Sequence, residues 1–275
     1  MRQNRSYLKI AESHKQKLHA QAPCRAHLQA CHVTLRRLPV DAGKRIAYKR
    51  VEKEQVMATP GANTRYTKLI LLSGGIDSTY LLAHTLRETQ DRVVVHHVHL
   101  INTEGRHQAE AEACRKIVDF CRSHYRDFAY SESTVDRSKL RAPGYDVITV
   151  AAEGGIAASN DMIVTGHMPD FWMLGINQEE AEQIEDQNKA VQGGVQGQGR
   201  LTYLLAAMAA TCFPNAPPKY LRPPLRPKRD LVAYLGPALA GMCWTCRRPV
   251  ARAGGWDECG TCQTCLLMQQ IRTGG

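Results

Sequence analysis

The chain has 275 residues, 43% hydrophobic and 23% charged, the composition of a soluble globular protein with one sizeable core and a small satellite. Its formal net charge of +10 is unevenly spread: residues 1–56 hold 13 Lys and Arg against four acids, whereas the other 219 residues hold 23 against 22. This composition excludes a long disordered chain. The apolar runs are too short and broken for a membrane span of roughly 20 residues, and the start lacks the apolar segment of a secretory signal, so the chain is expected to be cytoplasmic with no membrane partner.

The basic surplus belongs to an N-terminal arm, residues 1–60, expected to be a poorly ordered extension. Three readings of it stand side by side. It is a solvated extension, or translation begins at Met57 in "MATPGANTRYTKLILL", or the arm binds a polyanion such as a nucleic acid. A targeting peptide fits less well, because the segment is poor in serine as well as in acids.

From Lys68 the pattern alternates strand and helix. "KLILL" is a short apolar run ending at glycines, and "DSTYLLAHTLRET" sets Tyr80, Leu81, Leu82 and Leu86 at helical spacing. "RVVVHHVHL", Arg92 to Leu100, is the second strand, and "AEAEACRKIVDFCRSHY" follows with Ala113, Ile117, Phe120 and Cys121 on one helical face. A third unit spans Phe128 to Asn160, its helix "VITVAAEGGIAAS" interrupted by Gly154 and Gly155; "DMIVTGH" then reads as a buried strand ending in a second glycine turn at Gly166. Such alternation predicts an α/β fold, a doubly wound parallel sheet with a ligand crevice at the strand C-termini.

Beyond Gly175 the periodicity fails. Ile176 to Arg200 is rich in Gln, Glu and Gly and reads as a polar helix running into a mobile loop. "LTYLLAAMAATC" reads as a helix and "PNAPPKYLRPPLRPKRD" as extended chain, because proline fixes φ and disfavours helix in the residue before it. "DLVAYLGPAL" makes a short helix before a cluster of cysteines.

The turn "SGGIDST", Ser73 to Thr79, joins the first strand to its helix. Backbone N–H groups, hydroxyls and a helix N-terminus meet there, which suits an anion. It has neither the G-x-x-x-x-G-K-[ST] of the P-loop nor the G-x-G-x-x-G of the dinucleotide fold, and it has no lysine to reach a γ-phosphate. Gly74 and Gly75 let the backbone approach phosphates, while Ser73, Ser78 and Thr79 add hydroxyl donors. Asp77 cannot face a phosphate by itself; holding loop N–H groups or binding Mg²⁺ are its expected tasks.

S-G-G-x-D-S resembles the PP-loop of the ATP pyrophosphatases, which split ATP into AMP and pyrophosphate. The missing lysine suits that chemistry, because the group to be held is the leaving pyrophosphate. "TEGRHQAEAEA", Thr103 to Ala113, resembles a segment of the 7-cyano-7-deazaguanine synthase family, with Gly105, Arg106, His107 and Glu110 at matching positions. "APGYDVITVAAEGGIAAS" is similar to another segment of that family, but Tyr145 and Asp146 stand where Arg and Asn are usual. "VTGH" occupies the place of the family's second glycine turn, followed by "MPDFWMLG" in place of the usual run. The resemblance covers about Lys68 to Met268 and leaves the arm untouched.

Ten cysteines in a chain without a signal point to metal rather than disulfides where five of them crowd into Cys243 to Cys265, as C-x2-C-x12-C-x2-C-x2-C. Four thiolates suit Zn²⁺ in a closed, structural site. Spacing alone allows Cys243 and Cys246 with two of the later three. The family pattern nominates Cys246, Cys259, Cys262 and Cys265 and leaves Cys243 spare. The pairs Cys24 with Cys31 and Cys114 with Cys121, and Cys212, read as buried or idle thiols.

The resemblance implies a PP-loop domain of the adenine nucleotide α-hydrolase type over residues 61–240 and a four-cysteine zinc module over 241–275. It implies ATP and Mg²⁺ as cofactors, with Ser73, Gly74, Gly75, Asp77, Ser78, Thr79, Gly166 and Lys228 for the nucleotide. Asp77, Ser78, Arg106 and His107 would carry catalysis, as an ATP-dependent ligase joining ammonia to 7-carboxy-7-deazaguanine and dehydrating the amide to the nitrile. A homodimer goes with that reading. Two alternatives stay open: a PP-loop enzyme adenylating a tRNA base or a protein terminus, and a nucleotide-binding protein without catalysis.

Overall fold

In the computed structural model, residues 65–141, 145–178, 200–214 and 216–273 are described. The basic arm with Cys24, Cys31 and Met57, residues 142–144, and residues 179–199 of the Gln- and Glu-rich run lie outside them.

Strand β1 (Thr67–Leu71) is the middle of a five-stranded sheet. It pairs with β2 (Arg92–Ile101) on one side and β4 (Phe171–Leu174) on the other; β3 (Ala129–Asp136) and β5 (Lys219–Tyr220) form the edges. Every pairing is parallel. The chain moves outward from β1 to β3 and then crosses back to β4, so the order reverses between β1 and β4. That reversal opens a crevice at the strand C-termini.

Alternation along β1 feeds two cores. Ile70 and Leu72 pack with Leu82 of α1 (Ile76–Glu88), Ile117 of α2 (His107–His124) and Leu231 of α5 (Lys228–Ala240). Leu69 and Leu71 pack on the other face with Ala151 and Ala158 of α3 (Asp146–Thr165) and Met208 of α4 (Arg200–Thr211). The fold is therefore α/β and doubly wound, with helices on both faces of the sheet.

Two expectations for α3 are corrected. Residues 161–167 are no strand; the helix runs on to Thr165, and Gly166 ends it in the left-handed region at φ 79°. Nor do Gly154 and Gly155 interrupt it. A Cβ on Gly155 would lie 2.3 Å from Thr211 Oγ1 and 2.5 Å from the Met208 carbonyl oxygen, so these glycines let α4 pack against α3 backbone to backbone. The uninterrupted helix also overturns the expectation that no segment reaches the size of a membrane span, since its 20 residues include an 18-residue window of mean hydropathy 1.2. Here it packs on β1, β2 and α4.

The C-terminal segment is built into the first core. Cys243 and Met268 of α6 (Gln263–Thr273) are buried with α1 and α2, and the hairpin β6 (Val250–Arg252) and β7 (Gly255–Asp257) lies between the cysteine-bearing turns.

Candidate active site

The turn after β1 is closed on itself before any ligand arrives. Ser78 Oγ accepts the Ser73 N–H at 3.1 Å, shares a hydrogen bond with Ser73 Oγ at 3.0 Å and donates to the Gly75 carbonyl at 3.3 Å. Gly74 has φ 77°, and a Cβ there would sit 2.9 Å from the Glu110 carbonyl oxygen, so only glycine fits between the turn and α2. Under the turn, the buried His97 imidazole lies 2.9 Å from the Leu72 carbonyl through Nδ1. Burial lowers its pKa to about 4, which keeps the ring neutral. The residues that open α1 line the crevice, and the first N–H groups of a helix lack intrahelical acceptors and carry its positive end.

A cavity of about 440 Å³ opens above this turn, within the size range of small-molecule sites. Ser73, Gly75, Asp77, Ser78, Arg106 and Lys228 all line it. Asp77 accepts from Lys228 Nζ and from Asn177 Nδ2, each at 3.1 Å, instead of from N–H groups of its own loop. Lys228 sits at the start of α5 and is buried. It therefore faces a carboxylate, where a phosphate or solvent was expected.

Arg106, at the N-terminus of α2, is gripped by three carboxylates. Its guanidinium pairs with Glu104 at 2.8 Å, with Glu110 at 3.1 Å and with Asp146. Burial first, and then the neighbouring Asp146 and Glu104, raise the Glu110 pKa to about 7 against the opposing pull of Arg106.

Of the expected residues, Gly74, Thr79, His107 and Gly166 stand apart from the cavity lining. Thr79 Oγ1 donates to the Gly75 carbonyl at 2.8 Å, as part of the first turn of α1. His107 opens α2 with its Nδ1 buried and without a partner among the described residues; burial lowers its pKa. Gly166 ends α3 with open space around it. The glycine after β4 that does meet the Ser73–Thr79 turn is Gly175, where a Cβ would lie 2.5 Å from the Ser78 nitrogen. Glu104, Gly175, Asn177 and Arg247 escaped the sequence reading. Gly175 alone carried a visible signal, since "FWMLG" repeats the strand-then-glycine pattern of "KLILLSGG".

The sulfurs of Cys246, Cys259, Cys262 and Cys265 all lie within 4.8 Å of one another, a set that can hold one metal ion. Backbone N–H groups point at them: Cys259 N–H and Arg248 N–H to Cys246 Sγ at 3.2 and 3.3 Å, and Cys262 N–H to Cys259 Sγ at 3.3 Å. Such bonds favour thiolate, and those from Thr261 and Cys262 lower the Cys259 pKa to about 6. Cys243 lies outside the set, its thiol donating to the Leu239 carbonyl at 3.4 Å inside the core. The segment carrying Cys246 also walls the cavity, through Trp244, Thr245 and Arg247.

No protein-family model matches the chain, and no curated protein matches it. Among solved structures, the chain is similar to a U34-tRNA thiolase NcsA from Methanococcus maripaludis, described with its [4Fe-4S] cluster. Identity is 17% and the TM-score 0.41, over 66% of this chain and 58% of that one. The chain thus spans under two thirds of the length of the protein it matches.

Proposed function

We propose that the chain is a PP-loop ATP pyrophosphatase: it transfers AMP from ATP to an acceptor oxygen and releases pyrophosphate. The observation that carries this reading is the closed Ser73–Thr79 turn, lysine-free, at the end of the central strand and under a cavity at the topological switch. N–H groups at a helix start stabilise negative charge on the departing pyrophosphate without reorganising. The acceptor oxygen attacks the α-phosphorus, the bond to the bridging oxygen breaks, and the adenylated oxygen becomes a good leaving group.

The acceptor we propose is 7-carboxy-7-deazaguanine, with ammonia as nucleophile, which makes the enzyme an ATP-dependent carbon–nitrogen ligase of the cytoplasm. Adenylation first turns the carboxylate into an electrophile that ammonia converts to the amide; a second adenylation dehydrates the amide to the nitrile. Glu110, with its pKa about 7, is suited to accept the proton that the attacking amine sheds.

Zn²⁺ is the ion we assign to the cysteines. Bonds of about 2.3 Å in a tetrahedron put sulfurs roughly 3.8 Å apart, and Cys265 Sγ lies 4.0 Å from Cys259 Sγ and 3.4 Å from Cys262 Sγ. An iron–sulfur cluster would spread the thiolates over separate irons. Zn²⁺ with four thiolates keeps no open position and would serve the fold alone. Among the described residues no group stands ready for Mg²⁺: Asp77 is held by Lys228 and Asn177, and the cysteines are the one candidate metal group.

A second reading rests on Asp146. With three carboxylates on Arg106, the site favours an acceptor without a carboxylate of its own, such as a tRNA base adenylated at a carbonyl oxygen. The basic arm would then hold RNA. Mass spectrometry of products after incubation with ATP and either the deazaguanine acid plus ammonium or unmodified tRNA separates the two. The nitrile supports the first acceptor; pyrophosphate release on tRNA alone supports the second.

A further inference from the structure

Seven charged side chains line the cavity. Four are acids, Asp77, Glu104, Glu110 and Asp146, and three are bases, Arg106, Lys228 and Arg247. Arg106 is shared among three of the acids and Lys228 is paired with the fourth. Arg247 makes no ion pair among the described residues and is an exposed member of the cavity lining. A polyphosphate entering this space meets no lysine or arginine in the Ser73–Thr79 turn, and Arg106 and Lys228 are already paired with carboxylates.

Arg247 is also tied to the turn. Trp244 donates its backbone N–H to the Gly74 carbonyl at 2.8 Å, and the Trp244 carbonyl oxygen lies 3.6 Å from where a Cβ on Gly75 would stand. Four residues further on, next to Arg247, the Arg248 N–H donates to the Cys246 sulfur at 3.3 Å. The backbone carrying Arg247 is thus fixed at one end to the phosphate turn and at the other to the cysteine cluster.

We infer that Arg247 is an anion-binding residue of this site, engaging the β- and γ-phosphates of the nucleotide, and hence the departing pyrophosphate, from the cavity wall beside the turn. This rests on the nucleotide reading above and adds a residue that neither the turn nor its glycines identify. Arginine suits the task because its planar fork makes two parallel bonds to a phosphate.

Calorimetric titration of the full chain with ATP, inorganic pyrophosphate and AMP tests it, using the parent, Arg247→Ala and Arg247→Lys. The Ala variant should bind ATP and pyrophosphate about tenfold more weakly, the scale of a charge-assisted hydrogen-bond pair. AMP affinity should stay within about twofold, the Lys variant should fall between, and the metal content of all three should be equal. An Ala variant that binds pyrophosphate like the parent, or that loses AMP as much as ATP, overturns the inference while the nucleotide reading stands. A parent chain that binds none of the three overturns the nucleotide reading and this inference together.

Discussion

The backbone N–H of Trp244 donates to the carbonyl oxygen of Gly74 at 2.8 Å, so a residue two positions before a cysteine of the cluster holds the start of the Ser73–Thr79 turn. The cysteine cluster and the proposed nucleotide turn then share one strut. Stripping the metal with a strong chelator should weaken ATP binding and lower the melting temperature, because metal bound only to the folded chain adds to folding free energy. Cys265→Ala should do the same. Cys243→Ala should keep one metal per chain and cost about 2 kcal/mol through the cavity it leaves. Plasma mass spectrometry with thermal melts reads these, and a chelated protein that binds ATP as tightly as the loaded one would contradict the coupling.

Lys228 and Asp77 lie 151 residues apart in sequence and form an ion pair with side chains only 8% and 17% exposed. Lys228→Met leaves the Asp77 carboxylate without its cation at the head of α1. The loss should be about 3 kcal/mol of stability, the low end for breaking a buried pair, with pyrophosphate release reduced at least tenfold. Urea unfolding and a pyrophosphate assay measure the two effects separately.

Gly175 and Gly166 make opposite predictions. A Cβ on Gly175 would lie 2.5 Å from the Ser78 nitrogen and 2.8 Å from the Asp77 carbonyl carbon, both backbone atoms that cannot step aside. Gly175→Ala should therefore push the phosphate turn out of shape and abolish ATP binding. Gly166 has φ 79° and no neighbour within 4 Å. Gly166→Ala should cost about 1 kcal/mol of helix-end strain and leave ATP binding alone. Equal effects of the two substitutions on ATP affinity would count against the site as described.

Legibility in the sequence followed the range of the interaction involved. β1, α1 and β2 were plain because apolar runs, helical spacing and the glycine pair all sit within a few neighbours of each other. Gly154, Gly155 and Gly166 misled, since a glycine permits a turn, a close helix contact or a helix end, and only the packing partner decides; here Thr211 and Met208 of α4 decide for the first two. The partners of Arg106 and Asp77 were out of sight, because Asp146 lies 40 residues from Arg106 and Lys228 151 from Asp77, brought near by the crossover alone. Arg247 left no pattern at all: one arginine among several, distinguished only by the wall it stands in.

Stability should fall on the acid side. Burial lowers His96 and His97 from 6.5 to about 4, so the folded chain binds fewer protons than the unfolded chain across that window. Their contribution is present above pH 6.5 and is lost as pH falls towards 4, by up to about 3 kcal/mol for each. Glu110 acts in the other sense: raised from 4.5 to about 7, it contributes stability below 4.5 that is lost as pH rises through 7. The urea midpoint should thus drop between pH 6.5 and 4.5, less steeply in His97→Gln and more steeply in Glu110→Gln. A midpoint that is flat across this range in all three would contradict the buried, neutral imidazoles.

The most direct test of the nucleotide chemistry is to incubate the purified full chain with ATP, magnesium and the candidate acceptors and identify the spent nucleotide by chromatography. The account predicts AMP and pyrophosphate in equal amounts, both lost in Ser78→Ala. ADP and inorganic phosphate as the products would contradict it.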